Sequence, residues 1–152
     1  TKSKEIIESR GHKTKNISNF PMIVSDKIES VLKTNEMVKI LHSLNLFQDI
    51  ERLKSRKPRT GKSLLRGRGT KIGKSVLFVV SKAEKLSKAC NGIPGVDVQT
   101  TKNLSVLDLA PGADPIRLTV YSTTALKEIG EIKSPHLELM VSMNWKQKQR
   151  IR

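Results

Sequence analysis

The chain has 152 residues, with 29 Lys and Arg against 14 Asp and Glu, so its formal net charge is +15. That length suits one domain with basic extensions; no apolar run is long enough to span a bilayer, and Thr1-Lys2-Ser3-Lys4 lacks the apolar stretch of a signal peptide. The excess positive charge opposes compaction, but it attracts a polyanion and releases that polyanion's condensed counterions, which puts nucleic acid ahead of an anionic membrane as partner.

Residues 1–21 read as a basic N-terminal segment with a short helix around Ser3–Ser9, whose apolar contacts are Ile6 and Ile7. Phe20-Pro21 ends it, because a residue before proline is pushed towards extended conformations. An α/β domain is expected over 22–131. Met22-Ile23-Val24 is extended. Asp26 then reads as a helix N-cap, with Glu29 completing a capping box, and Ile28, Val31 and Leu32 share one face. A second helix runs from about Asn35 through Val38, Leu41 and Leu44, and Phe47, Ile50 and Leu53 predict a further short amphipathic one.

The character changes at residues 54–74. Nine of these 21 residues are Lys or Arg, none is acidic, and four glycines and a proline interrupt any regular element, so the stretch reads as a loop. Val76–Val80, five apolar residues in a row, predicts a strand buried on both faces, as in a parallel sheet. Ala83, Leu86, Ala89 and Cys90 share a helical face that stops at Asn91-Gly92. Val96–Val98 is a second strand, Leu104–Leu109 one helical turn, and Arg117–Ser122 a third strand. Ser122 caps a helix through Ala125, Leu126 and Ile129 that stops at Gly130. This order predicts a three-layer α/β/α fold with a small, largely parallel sheet. From Ile132 the pattern weakens into a basic C-terminal extension, 132–152.

The single cysteine, Cys90, excludes an internal disulfide, fits a reducing compartment and is expected to be a small buried apolar residue. His12, His42 and His136 have no neighbours at metal-ligand spacing, so no zinc site is expected. Aromatics make up only 3% of the chain, too few for many base-stacking platforms; phosphate contacts, groove contacts and arginine stacking remain.

Gly61-Lys62-Ser63 and Gly73-Lys74-Ser75 imitate phosphate-binding loops. The motif needs a glycine five positions earlier, where Arg56 and Arg68 stand, and the second fragment leads into a strand rather than a helix. No nucleophile elbow or Cys–His pairing appears. Asp97, Asp108 and Asp114 lie near strand ends, where α/β folds place sites, but turn and cap roles are expected for them. Residues 54–74 read instead as an RNA clamp: glycine lets the backbone approach the sugar–phosphate chain, and arginine forks match phosphate oxygens. The plain alternative is a solvated charge run; the density of cations, the lack of acids and the glycine spacing favour RNA. With so few apolar groups the segment is expected to order on RNA. Lys146, Lys148, Arg150 and Arg152 form a second cluster, open to the same two readings.

Several motifs resemble one family. Arg10-Gly11-His12-Lys13 and Pro21-Met22-Ile23-Val24-Ser25-Asp26 lead in; Arg59-Thr60-Gly61-Lys62 with Arg66-Gly67-Arg68, Asn91-Gly92-Ile93-Pro94-Gly95-Val96-Asp97-Val98, and Leu109-Ala110-Pro111-Gly112-Ala113 with Arg117-Leu118-Thr119-Val120 follow in order. Over residues 10–130 the chain resembles the universal ribosomal protein four of the large subunit, in its archaeal and eukaryotic form. The resemblance implies a structural constituent of the large ribosomal subunit in the cytoplasm. It implies large-subunit ribosomal RNA and neighbouring ribosomal proteins as partners, with no cofactor, no small-molecule substrate and no catalysis. Ser63 departs from an expected glycine, and Gly69-Thr70 from an expected basic residue and aromatic. The family's N-terminal part, with a first strand and a loop reaching the peptide exit tunnel, has no counterpart here, so a sheet short of a strand is expected unless another chain supplies it. The RNA-binding set is Arg10, His12, Lys54, Arg56, Lys57, Arg59, Gly61, Lys62, Arg66, Gly67, Arg68, Lys71 and Lys74, with Lys146, Lys148, Arg150 and Arg152. Two other readings compete: an RNA-modifying or nucleotide-binding α/β enzyme, against which Ser81-Lys82-Ala83-Glu84 after the first long strand offers no glycine, and a non-ribosomal RNA-binding factor.

Overall fold

The computed structural model describes residues 4–9, 11–14, 17, 20–54, 57–71, 73–112 and 117–132. In chain order these form α1 (Lys4–Ser9), β1 (Met22–Val24), a 3-10 helix (Asp26–Ser30), α2 (Thr34–Ser43), α3 (Phe47–Lys54), β2 (Lys57–Pro58), α4 (Lys62–Leu65), β3 (Thr70–Lys71), β4 (Val76–Val80), α5 (Glu84–Cys90), β5 (Asp97–Thr100), α6 (Val106–Leu109), β6 (Leu118–Ser122) and α7 (Thr123–Glu131).

All five residues of β4 are buried, as an unbroken apolar run requires of a strand covered on both faces. It sits inside a parallel sheet of order β1-β6-β4-β5, with Phe78 level with Val98 on one side and Val120 on the other. Successive side chains of a strand point to opposite faces, and β4 divides accordingly. Val76, Phe78 and Val80 join the main core with Ile7 of α1, Met37 and Leu41 of α2, Ile50 of α3, and Leu86, Ala89 and Cys90 of α5. Leu77 and Val79 enter a smaller cluster with Ala125 and Ile129 of α7, Leu109 of α6 and Tyr121. Helices on both faces of a parallel sheet make the expected α/β/α arrangement. Cys90 is buried, and that burial pushes its thiol up to about 12, well out of the range of a reactive thiolate.

The structure departs from the sequence reading in four places. Asp26 and Glu29 do not form a capping box, because the chain makes only a 3-10 turn there and both carboxylates reach across strand ends. Asp26 Oδ1 accepts the Thr124 amide at 2.9 Å, and Glu29 accepts the Ser81 and Lys82 amides and the Ser122 hydroxyl. Helix α7 passes Gly130 and ends at Glu131. In the basic N-terminal segment Ile7 joins the main core as expected, but Ile6 is exposed and Ile17 joins the core as well. The stretch read as an irregular loop holds β2, α4 and β3. The expected Ser122 cap forms, its Oγ accepting the Ala125 amide, and Asp108 takes the cap role expected of it, in a reciprocal box with Ser105 that the sequence reading did not name.

Asp49 anchors the N-terminal segment. Its side chain is fully buried on α3, where Ile50 and Leu53 are buried too. It accepts hydrogen bonds from His12 Nδ1 (3.0 Å), the Lys13 amide (3.0 Å), Arg52 Nε (3.1 Å) and the Ser75 hydroxyl just before β4. Burial alone would push this carboxyl up; the hydrogen bonds from His12, Ser75 and Lys13, with the charge of His12, outweigh burial and hold it well below the usual carboxylate range. A carboxyl depressed in the folded state contributes stability above its unfolded value, about 3.9, and loses it as pH falls towards its folded value. Asp49→Ala is expected to cost about 3 kcal/mol in neutral denaturant unfolding, because several buried donors lose their acceptor. The variant should also lose part of the wild-type drop in stability below about pH 4.

Candidate nucleic-acid interface

The basic segment leaves α3 at Lys54 and returns to the sheet at β4. Between them, β2 and β3 pair antiparallel as a short ribbon, Lys57 opposite Lys71 and Pro58 opposite Thr70, extended by the Arg59 amide donating to the Gly69 carbonyl at 2.9 Å. At its tip Gly61 adopts φ +67°, a conformation costly for a residue with a Cβ, and turns the chain into α4. The Gly67 amide donates to Leu64 O and the Arg68 amide to Ser63 O, both at 3.0 Å, closing the tip on itself. Lys62, Arg66, Gly67, Arg68 and Lys71 are exposed around this tip, and Arg59 is half-buried. Such a surface can neutralise several phosphates at once, each adding to affinity through counterion release.

The ribbon's return to the sheet is fixed by packing and by charge. Gly73 and Gly95 lie against Leu53: a Cβ on Gly95 would stand 2.2 Å from Leu53 Cδ1 and 3.0 Å from the Gly73 carbonyl, and one on Gly73 would stand 2.7 Å from Leu53 Cδ2. The Ser75 amide donates to the Gly95 carbonyl at 2.8 Å. Below this contact Arg117, only 1% exposed, directs Nε towards the Ser75 carbonyl (3.4 Å), Nη1 towards Asp108 O (3.4 Å) and Nη2 towards Val76 O (3.5 Å), and pairs through Nη2 with Asp97. Lys74 Nζ reaches the same Asp97 carboxylate at 2.7 Å. Burial pushes the Asp97 carboxyl up, but its bonds to Lys74 and Arg117 outweigh that and hold it below the usual carboxylate range.

The structure sorts the sequence-derived site residues. Arg59, Gly61, Lys62, Arg66, Gly67, Arg68 and Lys71 are gathered on the ribbon and tip, and Lys57 contributes its backbone to β2. His12 lies away from this group: its side chain is 7% exposed and turned onto Asp49, where it helps hold the N-terminal segment to α3. Lys74 is drawn to Asp97, and Asp97 itself bridges two cations instead of serving a turn. Lys54 is exposed beside Glu51 and lies 4.9 Å from the Phe47 ring centroid, an arrangement of little energetic weight in solvent. Arg10, Arg56, Lys146, Lys148, Arg150 and Arg152, and Asp114, lie outside the described residues. Asp49 was not singled out in the sequence, and Arg117 entered the sequence reading only as the first residue of a strand and of a family motif. The available signals were an acid on the apolar face of α3 and an arginine opening an apolar strand.

A second concavity lies at the opposite, carboxyl-terminal edge of the sheet. It encloses about 670 Å³ and is lined by Asp26, Glu29, Ser30, Ser81, Lys82, Ala83, Glu84, Lys85 and Thr100. α/β folds bind ligands at this edge, but here the Ser81 and Lys82 amides that would face a phosphate already donate to Glu29. Glu128, also at this edge, accepts from the Ser81 and Thr101 hydroxyls, and these bonds keep it below the usual carboxylate range. The crevice carries three carboxylates, Asp26, Glu29 and Glu84, on its walls, and two of them already accept backbone amides.

Comparison with known proteins finds a match of residues 11–132 to the model described as the ribosomal protein L4/L1 family. Relatives named large ribosomal subunit protein uL4 include those of Haloquadratum walsbyi, 43% identical over 126 residues (82% of this chain, 50% of the relative), Methanococcus aeolicus, 42% over 128 (84% and 51%), and Sulfurisphaera tokodaii, 41% over 128 (83% and 48%). The chain thus spans about half the length of the curated relatives it matches.

The packing at the ribbon base gives a paired expectation. Gly95→Ala, at φ +76° and against Leu53, should destabilise by about 2–4 kcal/mol. Gly112→Ala, at φ +86° with open space around it, should cost only about 1–2 kcal/mol. Denaturant midpoints of the two variants check this; equal losses would show that the Leu53 contact carries no weight.

Proposed function

The chain belongs to the ribosomal protein L4/L1 family, and on that footing we propose that it is a structural, non-catalytic constituent of the large ribosomal subunit in the cytoplasm, holding large-subunit ribosomal RNA beside neighbouring ribosomal proteins. The observation that carries this reading is the β2–β3 ribbon with its exposed tip: Lys62, Arg66, Arg68 and Lys71 stand clear of the fold, in a stretch without an acidic residue. Its base is held by Arg117, Asp97 and the Leu53–Gly95 contact. A rigid base and a cationic tip suit binding in which the protein supplies charge at a fixed place and RNA supplies the shape. Arg10, Arg56 and the tail cations Lys146, Lys148, Arg150 and Arg152 extend the same chemistry along the chain. A phosphate-handling enzyme is disfavoured, because Glu29 occupies the strand-end amides such a site would use.

Residence is tested by sedimenting a gentle lysate on a gradient, with and without a high-salt wash and ribonuclease. The chain is expected to run with large subunits, survive the wash and be released by ribonuclease; recovery at the top of the gradient at low salt would contradict the ribosomal role. For the loop, replacing Arg66 and Arg68 together by Ala should reduce the slope of log K against log salt by about 1.4–1.8, the share of two phosphate contacts. An unchanged slope would remove the tip from the interface.

A further inference from the structure

We infer that Leu64 and Leu65 form an apolar RNA contact at the tip of the basic ribbon, giving binding a component that salt does not weaken; the inference rests on the RNA-binding reading of that loop. Leu64 is 54% exposed and Leu65 86% exposed, and α4 has no buried residue at all. These side chains therefore do nothing for the core. A lone exposed leucine needs no explanation. These two are adjacent, at the end of a projecting ribbon, on a helical turn whose shape is set by its own backbone hydrogen bonds rather than by apolar packing. Leu64 leans towards the ribbon, since a Cβ on Gly69 would meet its Cδ1 at 3.5 Å. Leu65 is the more exposed of the pair.

Charge selects what covers them. Lys62, Arg66, Arg68 and Lys71 are exposed on the same short ribbon and tip, and no acidic residue lies between Glu51 and Glu84 in the sequence. A surface that buries Leu65 must also accept these cations, so it must be apolar at its centre and anionic around it. RNA offers both in one place: sugar C–H groups and base edges in a wide, shallow minor groove, bordered by phosphates. Apolar side chains set among basic ones work in this way where proteins wedge into a nucleic-acid groove. An apolar pocket on a protein would need an acidic rim to do the same. Burying leucine releases no counterions, so its contribution appears in the affinity and not in the salt slope.

The experiment uses the 152-residue chain and overlapping transcripts of large-subunit ribosomal RNA, with the tightest-binding transcript titrated across a salt series. Leu65→Ser and the double variant Leu64→Ser/Leu65→Ser are compared with the Arg66→Ala/Arg68→Ala pair. Circular dichroism should match for all, because none of these side chains is buried. The inference expects Leu65→Ser to bind about tenfold more weakly at every salt concentration with its slope unchanged, as loss of one buried leucine requires, while the arginine pair lowers the slope. If the leucine variants bind like wild type and the arginine pair still lowers the slope, the apolar contact is wrong and the loop reading stands. The apolar RNA contact is equally overturned if the leucine variants keep RNA affinity but lose binding to purified large-subunit proteins, which would assign the pair to a protein pocket. If neither set of variants changes RNA binding, both readings fall.

Discussion

A buried guanidinium is the constraint on which the working end of this molecule depends. Arg117 opens onto β6 with almost no solvent contact, and a charge taken out of water is tolerated only when it is paired and hydrogen-bonded. Asp97, at the start of β5, supplies the pairing through Nη2, and the Ser75 and Val76 carbonyls, on the approach to and at the start of β4, face Nε and Nη2. Three neighbouring strands are thereby aligned at one end of the sheet. Because Lys74 shares the Asp97 carboxylate, the point at which the basic ribbon rejoins the domain is fixed by the same cluster. Asp49 does the equivalent for the other side, drawing His12, Lys13 and Ser75 onto α3.

The two edges of the sheet carry opposite chemistry. At the amino-terminal edge the fold satisfies its own buried charges and sends the remaining cations outward on a ribbon. At the carboxyl-terminal edge, Glu29 and Glu128 accept the Ser81 and Lys82 amides and the Ser81 and Ser122 hydroxyls, so the strand-end donors of the crevice there are already engaged. A net charge of +15 would strain a compact chain if it were spread evenly. Much of it is instead held on a projection, where self-repulsion is screened by solvent and where a polyanion can relieve it. On the proposed reading, fold stability and RNA attraction fall to different parts of the chain.

Much of this was legible in the sequence. The run Val76–Val80 announced the central strand, and the spacing of Leu86, Ala89 and Cys90 gave α5 its buried face, because burial on both sides of a sheet and on one side of a helix leaves distinct periods. The cation density of residues 54–74 marked the candidate interface for the same reason: nothing in the core can use it. What stayed hidden depends on long-range partners. The ribbon of two-residue strands has too little sequence for a period, and glycine content argued against any regular element there. Asp26 and Glu29 had the spacing of a capping box, yet their partners, Ser81 just past β4, Ser122 at the end of β6 and Thr124 in the first turn of α7, lie far along the chain. His12 looked like a basic contact within a motif, and only the fold brings it to Asp49.

Hydrogen–deuterium exchange on the chain, free and bound to large-subunit ribosomal RNA, tests the central claim most directly. A fixed base carrying a cationic tip predicts that RNA protects amides within residues 57–71. Those of Val76–Val80 and Leu118–Ser122 should exchange slowly and equally in both states. Protection concentrated instead at residues 26–30 and 81–85, around the crevice on the opposite edge, would contradict the account and move the binding site to the carboxyl ends of the strands.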